Sequence, residues 1–111
     1  MTNHGPTEDL ERLSRRLGDL RGSTFIESSR FVGAESHLQI RYVQSFTDFK
    51  QRRPLSGIRA KDFRLYFRTG AATEKILAIE SMRLLREFPM ISRISIMVPP
   101  FGDFHSIDLR R

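Results

Sequence analysis

Asp62-Phe63-Arg64-Leu65-Tyr66-Phe67-Arg68 is the stretch whose reading decides the fold. Phe63, Leu65 and Phe67 alternate with Arg64, Tyr66 and Arg68, and a period of two predicts a strand with one apolar and one basic face. On that reading the apolar side packs on a core, while two arginines and a tyrosine look outward.

Upstream of it, residues 44–61 are less regular. Ser45 with Asp48 three positions on resembles a capping pair, which predicts a short helix carrying Phe46 and Phe49 on one side. Pro54 ends that helix at or before Arg53, and Ser56-Gly57 marks a turn. Further back, 37–43 alternates, with Leu38, Ile40 and Tyr42 opposite Gln39 and Arg41. It pairs as a hairpin with a strand over 24–32 across the turn Gly33-Ala34-Glu35. Thr7 and the acidic residues Glu8, Asp9 and Glu11 open a helix over 8–21, whose stripe is Leu10, Leu13, Leu17 and Leu20 and whose stop is Gly22.

Downstream, Gly70 breaks the strand, and Thr73-Glu74 opens a second helix with Ile76, Leu77, Ile79, Met82, Leu84, Leu85 and Phe88 on a broad apolar face; Pro89 ends it. A strand over 93–98, a turn over 99–103 and a last strand over 104–109 complete the chain. The expected fold class is α+β: a mainly antiparallel five-stranded sheet with two helices packed on one face. Its order is α-β-β-(short helix or loop)-β-α-β-β. Residues 1–6 are expected to form a disordered lead and 7–111 a single domain.

The helix-strand-strand-strand-helix order of the first half resembles a double-stranded-RNA-binding domain. The lysine cluster that family carries at the start of its second helix is reduced here to Lys75 beside Glu74. The complete order also resembles type III secretion chaperones, which tend to be acidic dimers, whereas this chain is basic.

With 111 residues, 39% of them apolar and 29% charged, the chain can bury one core and is not compositionally disordered. It has no cysteine, which removes disulfides, cysteine zinc sites and cysteine nucleophiles and fits a reducing compartment. The polar start has no apolar core of a secretory signal, and no apolar run reaches the roughly 18 residues of a membrane span. A cytoplasmic protein without a membrane partner is expected.

The net charge of +6 is unevenly placed. Arg41, Lys50, Arg52, Arg53, Arg59, Lys61, Arg64 and Arg68 are opposed between positions 41 and 68 only by Asp48 and Asp62, so this quarter of the chain carries the whole surplus. Together with Tyr66, these eight are the expected anion-binding residues: guanidinium groups neutralise phosphates and the ring stacks on a base. The leading expectation is a non-enzymatic binding module for an anionic partner, nucleic acid first and an acidic protein second. One alternative is an assembly or adaptor subunit, including a homo-oligomer paired through a sheet edge. The other is a small ferredoxin-like enzyme or ligand-binding domain. No cofactor, metal site or catalytic set is expected. His4 falls in the lead, His37 reads as a surface residue, and Asp103-Phe104-His105 offers an acid and an imidazole without a third group.

Overall fold

The computed structural model describes residues 6–68, 71–101 and 105–111, and in it residues 62–68 are helical. Of the expected lead over residues 1–6, residues 1–5 lie outside the described residues, as do the break at Gly70 and Asp103 and Phe104, while Pro6 opens a helix. In chain order the elements are α1 (Pro6–Gly18), β1 (Ile26–Val32), β2 (His37–Tyr42), α2 (Phe46–Arg52) and α3 (Ala60–Arg68). Then come α4, which runs over 71–87, β3 (Arg93–Met97) and β4 (Ser106–Arg110). Within α4, Lys75–Glu80 is wound as a π-helix, and the Ser81 hydroxyl donates to the carbonyls of Leu77 and Ala78 at that widened turn.

The four strands form one mixed sheet in the order β1-β2-β3-β4. The outer pairs are antiparallel, with Ser29 opposite Ile40 and Ile94 opposite Leu109, but β2 and β3 run parallel, with Leu38 beside Ile94. The expectation of five mainly antiparallel strands and two helices is therefore corrected to four mixed strands and four helices. Returning to a parallel neighbour takes a long crossover, and α2, α3 and α4 are that crossover. The strand-strand-strand order behind the resemblance to a double-stranded-RNA-binding domain, and the full order behind the resemblance to type III secretion chaperones, both disappear with the third strand.

The helical reading of α3 has a physical cause. At about 100° per residue, Phe63, Tyr66 and Phe67 fall on one side, and Lys61, Arg64, Leu65 and Arg68 on the other. Phe63 and Phe67 are buried, while Leu65 remains 53% exposed, which the strand reading does not allow. The start is secured where Asp62 accepts from the backbone N–H of Arg59 at 3.1 Å, the returning half of a capping box. At α2 the expected cap is present, the Asp48 N–H donating to Ser45 Oγ at 3.1 Å.

Burial of aromatic rings holds the helices to the sheet. Phe25, which follows a left-handed Gly22, touches the rings of Phe49, Phe63, Tyr66 and Phe67 with centroids 5.1–5.5 Å apart. Leu38, Ile40, Tyr42, Ile94, Ile96 and Val98 supply the floor beneath them. α1, which stops at Gly18 and not at the expected 21, adds Leu13 to this core, the turn after it adds Leu20, and Leu10 of the expected stripe is 46% exposed. Arg16 pairs with Glu87 at 2.9 Å and Arg12 lies 4.8 Å over the Phe88 ring, tying α1 to the end of α4. The other face of the sheet, with Gln39, Arg41, Met97 and Asp108, is open.

Candidate functional site

The nine residues expected to form one anion-binding surface divide among four places. Arg41 stands on the open face of the sheet, where Glu27 accepts from its Nε at 2.6 Å and its guanidinium reaches Met97 Sδ. Arg52, at the end of α2, bonds the other oxygen of the same carboxylate at 2.8 Å. Glu27 is the extra residue of a bulge between Ile26 and Ser28, and the bulge lets one carboxylate serve both arginines. Burial raises the Glu27 carboxyl, but the hydrogen bonds and charges of Arg41 and Arg52 outweigh it and hold the group below its ordinary 4.5.

Lys50 is occupied structurally, its Nζ donating to the Ser56 carbonyl at 2.7 Å. Arg59 pairs with Asp62 at 3.3 Å, and its backbone and side-chain bonds lower the Asp62 carboxyl. Arg53 caps α2 and lines a hollow of about 630 Å³ beside Ser14 of α1 and Thr24. Tyr66 is half-buried against Phe25 and Phe67, so it is part of the core margin and does not stand on an open sheet face between arginines. Burial pushes its phenol up, against the lowering charge of Arg21.

Lys61, Arg64 and Arg68 remain together. All three are exposed, and their spacings of three and four place them within about 60° of the α3 circumference. None of them forms a close ion pair among the described residues: Asp62, the acid of this helix, is hydrogen-bonded by Arg59, and Lys61 acts on it only through its charge. Leu65 lies at the margin of this stripe, about 40° beyond Lys61, as an exposed apolar contact. Three of these charges thus form one helix stripe, Arg41, Arg52 and Arg59 are neutralised on other surfaces, and Lys50 and Arg53 lie at the end of α2 without an ion pair among the described residues.

A second polar arrangement crosses the open face of the sheet and was not legible in the sequence, because its members come from three strands. Gln39 Nε2 lies 3.4 Å from His37 Nδ1, His37 Nε2 lies 2.7 Å from Ser95 Oγ, and Ser95 Oγ donates to Asp108 at 3.3 Å. Arg93 grips Asp108 with two bonds of 2.9 and 2.7 Å and holds its carboxyl down at about 2. His37 is buried here, which corrects its reading as a surface residue. Ser95 and Asp108 line a concave hollow of about 780 Å³ together with Ser28, Arg30, Met97 and Ser106. Among the described residues the serine–imidazole contact lacks an orienting acid: Glu35 stands 3.9 Å from His37 Nδ1, beyond hydrogen-bond reach. Among the described residues no three His, Asp or Glu side chains converge as metal ligands, and no helix is long and apolar enough to cross a membrane.

Glu80 is the other acid the sequence did not single out. It is 2% exposed in the π-helical turn, within 3.7 Å of Arg16 and 3.4 Å of Arg83, and it accepts from the Arg21 N–H. These partners join α1 and the following turn to α4, a bracing role that accounts for its burial. No family model, curated protein or solved structure matches the chain.

Proposed function

We propose that this protein is a non-enzymatic binding module that offers the Lys61, Arg64 and Arg68 stripe of α3 to an anionic polymer, nucleic acid being the leading partner. The observation that carries the reading is the convergence of three exposed cations, none in a close ion pair among the described residues, on one helix face. At 1.5 Å of rise per residue they stand about 4.5 and 6 Å apart along the axis, a run of positive charge suited to successive phosphates. Leu65 at its margin gives the stripe an apolar contact for sugar or base edges. Arg41 and Arg52 are weaker contributors, because any phosphate must compete with Glu27 for them.

The test is binding of duplex and single-stranded oligonucleotides, followed by fluorescence anisotropy at low salt. Lys61→Gln/Arg64→Gln/Arg68→Gln is expected to lose affinity. Arg15→Gln/Arg30→Gln/Arg86→Gln, which removes the same charge elsewhere, is expected to keep most of it. Equal losses in the two triples would reduce the effect to net charge and defeat the reading. Binding of an acidic peptide but of neither nucleic acid would transfer the site to a protein partner.

A further inference from the structure

β4 is an edge strand that no other described strand covers. Its register with β3 is regular from Ser106 to Arg110, with neither proline nor bulge, whereas the opposite edge, β1, carries the bulge at Ile26/Ser28. The bonds from Val98 N–H to the His105 carbonyl and from Arg111 N–H to the Ser92 carbonyl set the phase of the β3–β4 ladder. In that phase the backbone groups of Ile107 and Leu109 face β3, and those of Ser106, Asp108 and Arg110 face away from the sheet. Ile107 and Leu109, which point toward the core side, remain half-buried.

We infer that β4 pairs antiparallel with β4 of a second copy of this chain, in the register that sets Leu109 against Leu109 across a two-fold axis. That register places Asp108 opposite Arg110 of the second copy, and Arg110 opposite its Asp108. The two outward-facing residues therefore meet as hydrogen-bonded pairs of opposite charge. Sliding by one pair would set Asp108 against Asp108, a like-charge contact. Leu109 meets its copy on the core side, extending the apolar strip that the helices leave half-covered. The partner is a second copy because the strand's own charge order is self-complementary about Leu109.

The register is testable because the chain has no native cysteine. A non-hydrogen-bonded antiparallel pair holds its Cα atoms about 4.5 Å apart, within the roughly 4.4–6.8 Å that a disulfide spans. Under mild oxidation Leu109→Cys is expected to give a covalent dimer roughly tenfold faster than Ile107→Cys, which faces Arg111 of the other copy. Light scattering of the unmodified protein is expected to rise with concentration toward twice 12.9 kDa. Arg110→Asp, an exposed change, should return it to a single chain while Arg110→Lys does not. A one-chain mass at every concentration, equal cross-linking of the two cysteine variants, or a dimer indifferent to Arg110→Asp would each overturn the inference.

Discussion

Replacing Phe63 and Leu65 separately by alanine distinguishes a helical 62–68 from an extended one, because both arrangements bury Phe63 but only the extended one buries Leu65. In α3, Phe63 is fully buried, with ring centroids 5.4 Å from Phe25, 5.2 Å from Phe67, 6.0 Å from Phe46 and 5.9 Å from Phe101. Phe63→Ala removes that ring from the middle of the cluster, and truncations of this kind cost about 3–5 kcal/mol. Such a loss is a large part of the roughly 5–15 kcal/mol by which a domain of this kind is stable. Leu65 is 53% exposed, so Leu65→Ala is expected to change stability by no more than about 0.5 kcal/mol. An extended segment would bury both on one face, and Leu65→Ala would then cost about 2–5 kcal/mol. Urea unfolding followed by far-ultraviolet circular dichroism, compared at unchanged m-value, reads both numbers. A Leu65→Ala loss of about 2 kcal/mol or more, matching a costly Phe63→Ala, would refute the helical packing.

Gly22→Ala is expected to destabilise by roughly 1–3 kcal/mol in thermal unfolding. The residue holds φ at +64°, and a Cβ there would sit 3.0 Å from the ring and hydroxyl of Tyr66. Adding Tyr66→Phe should recover part of that loss, a coupling that a double-mutant cycle measures. Tyr42→Phe deletes the buried bond of 2.7 Å to the Arg21 carbonyl and should cost about 1 kcal/mol in the same assay. Asp108 has its carboxyl lowered from 3.8 to about 2 by Arg93, so its contribution is full above about pH 4 and is lost as pH falls through 2. Asp108→Asn should therefore flatten the acid side of the stability profile in that window, and an unchanged slope would count against the Arg93–Asp108 pair.

Much of the fold was legible because several local signals agree. Leu38, Ile40 and Tyr42 alternate against polar neighbours, the Ser45–Asp48 pair caps α2, and α2 stops at Arg52 ahead of Pro54. The segment 62–68 misled because its side chains satisfy two periods at once. Phe63, Leu65 and Phe67 alternate, but Phe63 and Phe67 are also one helical turn apart, and only the fate of Leu65 separates the cases. The deciding signal was Asp62 three residues after Arg59. A capping box is harder to see when arginine, not serine or threonine, stands at its head.

The charge surplus was equally legible as a count, but a count does not place charges in space. Glu27, 14 residues before Arg41, neutralises Arg41 and Arg52 through a bulge that no local pattern announces. The chain of His37, Ser95 and Asp108 depends on a parallel pairing between strands more than fifty residues apart, beyond the reach of local periodicity. What persists from the sequence is the emphasis on α3, with Tyr66 turned toward the core and Lys61 brought into line with Arg64 and Arg68.

The salt dependence of duplex binding tests the assignment of that stripe most directly. If Lys61, Arg64 and Arg68 each neutralise a phosphate, the slope of log Kobs against log salt should be shallower by about 2.7 in the triple glutamine variant than in the native protein, at about 0.9 per contact. An unchanged slope, or native binding that does not respond to salt, would contradict the account.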